Sequence, residues 1–459
     1  MMPIFRSRRA MVVALAAFLG VVAAAAAYTL PNLYGGKFST CFWNIGVVNG
    51  GTINIAYPDA SANYWGTAYT LPAGATLELH GLYPHARYAS VESYNALGVP
   101  TDALVDYQIN PDRGSSNPFR AGVRRDVKRR SFTITLRDAS PPVPLSPDQR
   151  SGEPARNFVY TKPAGDTSGL HLLLWRVYVP DRGRDLRGGV ALPRPVLRLA
   201  NGTTQTGAQL CRTLTTQAKR IPDISALLIP ASQYQTMRYQ PGVPAYFPAQ
   251  RRPLWRVQYN RAYLLALYDG PVYHPVLATP TKAGQSGFFP NIDNQYARAA
   301  INRKLGKVVA FRGVLPTTPR TVGGNRFMAQ RTQLRYLSFC MNESVLTTRV
   351  MDCVYDEQIP VSKHRRYVVV TSRPQDRPRN ATARCGVAWL PWSPRGDGGR
   401  DHDFGWMQVR NMLPSPTFRH AIQNTRTPGD EHRVLGSYLP TGSYYRDKRA
   451  FEKLGCPVR

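Results

Sequence analysis

Acidic residues are scarce in this chain: 28 Asp and Glu stand against 59 Lys and Arg in 459 residues, a formal net charge of +31. A surface of balanced sign is thereby excluded, and the positive field that remains attracts polyanions. No long apolar run follows the N-terminal one, so no second membrane span is expected. Six cysteines are present but no C-x-x-C pair, which argues against zinc and redox chemistry. G-x-S-x-G, H-E-x-x-H, a P-loop and a G-x-G-x-x-G before a helix are all missing. Accordingly no catalytic residue is assigned, and no metal or cofactor is expected.

What is present begins with Arg6, Arg8 and Arg9, an apolar run from Met11 to Ala26 and the small residues Ala25-Ala26-Ala27. That order is the grammar of a secretory signal peptide over residues 1–27, with cleavage expected near Ala27. An uncleaved anchor is the alternative, and the only membrane attachment the sequence supports. In an exported chain, disulfides are the default for an even number of cysteines. Residues 335–341 and 349–355 read as neighbouring antiparallel strands, which sets Cys340 opposite Cys353. Cys41 with Cys211 and Cys385 with Cys456 complete one pairing scheme among several.

The chain repeats itself. Tyr57–Pro84 returns without a gap at Phe289–Pro316, so that Pro58 meets Pro290, Tyr64 meets Tyr296, Gly81 meets Gly313 and Pro84 meets Pro316. Arg87-Tyr88-Ala89-Ser90 then returns as Arg335-Tyr336-Leu337-Ser338, Asp106 as Asp352, Phe132–Leu136 as Tyr367–Thr371, and Arg176 with Pro180 as Arg410 with Pro414. A repeat this long is a domain. Its segments are short, rich in β-branched and aromatic residues and separated by Gly, Pro, Asn and Asp, which predicts strands. The fold class is mainly β: two tandem, internally duplicated β-sandwich or jelly-roll-like domains with few short helices, the best helix candidate being 292–305 with its counterpart at 59–70. The expected plan is a lead-in at 28–48, repeat one at 49–212, an inter-repeat segment at 213–286 that packs between the domains or lends an edge strand, repeat two at 287–423 and a tail at 424–459.

With these landmarks the chain resembles exported bacterial proteins built from the paired domain-of-unknown-function families twelve-fifty-four and twelve-fourteen. The resemblance rests on Arg87-Tyr88-Ala89-Ser90 with Tyr94-Asn95 and Arg176–Pro180 in copy one, and on Arg335–Ser338, Trp389-Leu390-Pro391 and Arg410 with Pro414 in copy two. It departs from the pattern at Phe158-Val159-Tyr160 and at Asn411 and Met412. The resemblance implies export and a β-sandwich, and no established reaction.

The repeated polar residues Arg87, Asp106, Arg176, Arg335, Asp352 and Arg410 are expected to be structural, forming a buried Arg–carboxylate pair within each domain. The repeated glycines are expected at turns or positive-φ positions. Two basic runs precede equivalent strands: Arg124, Arg125, Lys128, Arg129 and Arg130 before Phe132, and Lys363, Arg365 and Arg366 before Tyr367. They are the candidate binding residues, for anionic or carbohydrate envelope polymers or lipid headgroups, held by charge. No specific nucleic acid is expected, because aromatics are not interleaved with the charges. His80, Tyr83 and His85, unique to copy one, form the alternative site of an envelope-glycan- or lipid-acting enzyme. Asp401-His402-Asp403 in a glycine-rich loop offers metal-type ligands with no third partner. A purely structural or assembly role is the remaining alternative. The leading expectation is a non-catalytic binding module in the cell envelope, periplasm or secreted space.

Overall fold

Strands form wherever the β-branched and tyrosine-rich segments fall. The computed structural model describes residues 42–43, 45–143, 154–215, 228–269, 288–328 and 331–458; the signal segment and Cys41 lie outside them. The first copy supplies β1 (Gly46–Val48), β2 (Ala62–Tyr69), β3 (Thr76–Leu82), β4 (Ala86–Tyr94), β5 (Pro100–Val105), β6 (Ser131–Arg137), β7 (Phe158–Tyr160), β8 (His171–Pro180), β9 (Arg194–Arg198) and β10 (Thr204–Gln205). The second supplies β11 (Trp255–Val257), β12 (Asn294–Asn302), β13 (Val308–Val314), β14 (Leu334–Asn342), β15 (Val350–Tyr355), β16 (Arg366–Ser372), β17 (Val387–Pro391), β18 (Phe404–Pro414) and β19 (Thr441–Tyr445).

The sheet orders repeat, except that β10 has no counterpart among the described residues of copy two. Copy one has β1-β2-β8-β4-β5 and β10-β9-β3-β6-β7; copy two has β11-β12-β18-β14-β15 and β17-β16-β13-β19. Each domain keeps a parallel pairing at the same place, β6 with β7 and β16 with β17. The inter-repeat segment lends edge strand β11 to the second domain, and the tail lends β19, which pairs with β13. Helices are short, the longest among the described residues spanning Gly207–Thr215.

Each sandwich closes on its own core. Leu77, Leu79, Val91, Ile134, Leu173, Trp175 and Val177 fill the first, and Ala297, Ala299, Phe311, Phe339, Val369, Met407 and Val409 the second. The other face of each sheet containing β8 or β18 packs against the opposite domain, where Ala62, Tyr88, Tyr178, Tyr336 and Met412 form one cluster. Burial on both faces explains the continuous burial of β4 and β18.

Three expectations need correction. The proposed helices at 292–305 and 59–70 are strands β12 and β2, followed in copy two by a single 3-10 turn at Arg303–Leu305. The Tyr296, Ala300, Leu305 spacing mimicked a helical face, whereas Ala297, Ala299 and Ile301 alternate into the core as a strand requires. Gly81 and Gly313 lie inside β3 and β13, not in turns. A Cβ at Gly81 would stand 2.5 Å from the Phe132 ring, and one at Gly313 would stand 2.7 Å from the Tyr367 hydroxyl, so the close approach of an aromatic demands glycine. Finally, Asp352 corresponds to Asp102: each accepts the next residue's backbone N–H at 2.8 Å. The true counterpart of Asp106 is Asp356, since both accept a β4 or β14 amide, from Ala89 at 2.8 Å and from Leu337 at 3.0 Å. An aspartate pair spaced four residues apart in both copies made the wrong match easy.

Two of the expected disulfides are present. Cys340 and Cys353 face each other in register across β14 and β15, with Cα atoms 4.1 Å apart, and Cys385 joins Cys456 at 4.8 Å. Cys211 is also disulfide-bonded. Such bonds fit an oxidising, extracytoplasmic compartment. Among the described residues no helix is long and apolar enough to cross a membrane.

Candidate functional site

The repeated arginines reach across the molecule. Arg87 on β4 donates to Asp356 at 2.9 Å and pairs with Glu357, both in copy two, while Arg335 on β14 donates to Asp106 of copy one at 3.2 Å. Arg410 on β18 stands 3.4 Å from Asp59 of copy one. Of the pairs expected within each domain, Arg176 with Glu92 at 2.6 Å is the one that stays in its own. An inward charge survives only when paired, and the pairing here ties domain to domain.

Arg176 and Arg410 also grip backbone. Arg176 donates to the Phe289 carbonyl at 3.1 Å, and Arg410 to the Tyr57 carbonyl at 2.7 Å. Both acceptors have positive φ, 49° and 54°, a conformation that costs a bulky residue about 1–3 kcal/mol. The guanidinium bonds hold these two loops, each against the opposite domain.

Burial pushes the Glu92 carboxyl up to about 7 although the Arg176 charge opposes it. In the native state Glu92 therefore binds protons that the unfolded chain has already released, and its contribution to stability is full below about 4.5 and lost as pH rises through about 7. The stability difference between wild type and Glu92→Gln should thus shrink by roughly 3 kcal/mol from pH 4.5 to 7.5. Denaturant midpoints across that range check it; a difference that grows with pH would refute it.

Between the grip points lies a cavity of ≈ 120 Å³. Arg176, Arg298 and Arg410 line it and no carboxylate does; most of the remaining wall is apolar, with Ile53, Ile55, Leu172, Leu174 and Phe288 in it. Arg298, on β12, is 3% exposed. Its guanidinium carbon sits 3.9 Å over the Tyr57 ring and 5.7 Å from that of Trp406, so aromatic faces carry part of its charge. Its Nε and Nη1 have no hydrogen-bond partner, nor do both ends of the Gln408 amide, Gln258 Oε1 and Asn291 Nδ2. Burial lowers the Arg298 pKa from its ordinary value. Unfilled donors and acceptors therefore stand around a cationic wall that holds no carboxylate, and each such buried atom calls for a partner.

The basic runs are partly consumed by the fold. Arg125 is buried against Asp181 and the carbonyls of Thr321 and Asn325; Arg130 is buried against His85 and the Pro84 carbonyl; Arg365 donates to the carbonyls of Leu315 and Pro316 at 2.7 Å. Arg124, Lys128, Arg129, Lys363 and Arg366 remain exposed, Arg124 pairing locally with Asp126. Both runs border the segment inserted in copy two, since Arg125 N–H donates to the Arg326 carbonyl and Arg365 holds the strand end just before it.

The histidine group does not assemble. His80 bonds Glu78 at 3.0 Å, Tyr83 is buried with its hydroxyl on the Ile109 carbonyl at 2.8 Å, and His85 contacts Arg130, with burial and that charge lowering its pKa to about 4. In the glycine-rich loop, Asp401 accepts from Arg238 at 2.6 Å and Asn302 at 2.8 Å, and Asp403 pairs with Arg303. These acids brace the loop.

No protein-family model matches the chain, and no curated protein matches it. Among solved structures, an uncharacterized protein from Burkholderia cenocepacia aligns over 79% of this chain and 76% of its own, at 12% identity and a TM-score of 0.41. A structural-genomics protein from Vibrio parahaemolyticus aligns over 84% of this chain and 89% of its own, at 10% identity and a TM-score of 0.36.

Proposed function

We propose that the chain is an exported, non-catalytic binding protein of the cell envelope or secreted space, and that its ligand is an anion taken into the cavity between the domains. The carrying observation is that three arginines and no carboxylate line this cavity, with Arg298 unpaired by any acid among the described residues. Calorimetric titration of the full chain with a panel of small anions tests it. Saturable binding of one anion per chain, weakened at least tenfold in Arg298→Gln, is the expected result. Failure of every anion to bind would sink the reading.

A second reading, retention of anionic envelope polymers or lipid headgroups on the surface, draws on the exposed residues Arg124, Lys128, Arg129 and Lys363, with Arg366 at the start of β16, at equivalent places beside one inserted segment. Surface charges are screened within about 10 Å at 0.1 M salt, so retention on an anionic column should fall steeply with salt and fall again when the five are changed to Gln. Salt-insensitive retention, or none, would remove this reading and leave the cavity untouched.

A further inference from the structure

The two halves of the cavity are related by the repeat, and one of the cross-strand pairs at which the copies differ changes its chemistry. In copy one, Gly66 on β2 pairs with Leu174 on β8; in copy two the equivalent positions are Arg298 on β12 and Gln408 on β18, again paired. Gly66 leaves no empty slot, since a Cβ there would meet Ile45 at 2.9 Å. One side of the cavity is therefore hydrocarbon, from Ile45, Leu172 and Leu174, and the other presents Arg298, whose Nε and Nη1 lack partners, and Gln408, whose amide lacks them at both ends.

We infer that the ligand is a small monocarboxylate with an apolar body, its carboxylate on Arg298 and Gln408 and its body against Leu172 and Leu174. This rests on the reading that the cavity takes an anion, and names the class. The charge argument applies above about pH 7, where Glu92 is ionised: there Arg176 has Glu92 and Arg410 has Asp59, so the cavity has one guanidinium left to match, and a monoanion matches it. A dianion such as sulfate would bring a second charge into a low-dielectric site with nothing to pair it. The size argument is that an apolar cavity of about 150 Å³ accommodates benzene, so ≈ 120 Å³ suits a chain of a few carbons, not a ring with a carboxylate and not a polymer. Carboxylate oxygens are also the acceptors that a guanidinium binds most strongly.

The test is titration of the full chain at about pH 8, where Glu92 is ionised, with butyrate and hexanoate, the neutral isosteres butanamide and hexanamide, and sulfate and inorganic phosphate, read by calorimetry and by thermal shift. The expected result is that a carboxylate raises the melting temperature and saturates at one per chain, while its amide binds at least tenfold more weakly and sulfate and phosphate do not bind. Arg298→Met should abolish carboxylate binding while raising the melting temperature of the ligand-free protein, because an acid-free buried charge has been replaced by packing. A role confined to fold stabilisation would lower it instead. Leu174→Gln, which leaves Arg298 in place, should weaken hexanoate at least fivefold. Sulfate or phosphate binding in place of carboxylates would overturn the ligand class and leave the anion reading standing; equal binding of acid and amide would overturn the role of the charge; no binding by any of the six would overturn both.

Discussion

Arg87→Met is expected to destabilise the protein by about 3–5 kcal/mol, the range for removing one partner of a buried ion pair. Arg87 is fully buried, satisfies Asp356 and Glu357, and donates through Nε to Thr321 at 2.8 Å; its loss strands two acids and a hydroxyl between the domains. Arg335→Met, at the equivalent position, should cost less, about 1–3 kcal/mol. Arg335 is partly exposed and makes a longer contact with Asp106, whose carboxyl burial has already raised to about 6 and which can take up a proton once the arginine is gone. Denaturant unfolding of both variants gives the comparison. Equal losses, or a larger one for Arg335→Met, would mean that the two reciprocal pairs are not weighted by burial as argued.

Removing the Cys385–Cys456 disulfide by double Ala substitution is expected to cost about 4 kcal/mol, and removing Cys340–Cys353 about 3 kcal/mol, from the chain entropy that each cross-link takes from the unfolded state. The difference comes from loop length, since the bonds span 71 and 13 residues. Cys385–Cys456 anchors the tail that carries β19 onto β13, so its loss should also raise amide exchange in β19. A larger loss for the short loop would show that local contacts at Cys340, which lies against Arg410, outweigh the entropy of the unfolded chain.

Much of the architecture was legible because duplication prints the same pattern twice. Most of the strands, and the register that opposes Cys340 to Cys353, follow from local composition and alternation. The helix at 292–305 was misread because β12 is buried on both faces, which removes the polar–apolar alternation that marks a half-exposed strand. Pairing across domains was invisible for a different reason: Arg87 and Asp356, or Arg125 and Asp181, are brought together by tertiary packing, and nothing local distinguishes a buried arginine from an exposed one in the same run. The cavity left a signal that sequence reasoning passed over. The gapless match of Tyr57–Pro84 to Phe289–Pro316 sets Gly66 against Arg298, an exchange of no side chain for a cationic one.

The reciprocal contacts have the form of an isologous interface, in which residue i of one subunit meets residue j of the other and j meets i. Here both subunits are on one chain. Arg87 with Asp356 and Arg335 with Asp106 are the two halves of a contact that a symmetric homodimer would make twice with a single gene product. We read the chain as such a dimer joined end to end. In a homodimer any change near the axis is imposed on both sides at once, so a cationic residue at the Gly66 position would have faced its own copy across the cavity. Fusion lifts that constraint, and Arg298 at the position equivalent to Gly66 is a one-sided change of the kind that a covalently joined pair can acquire.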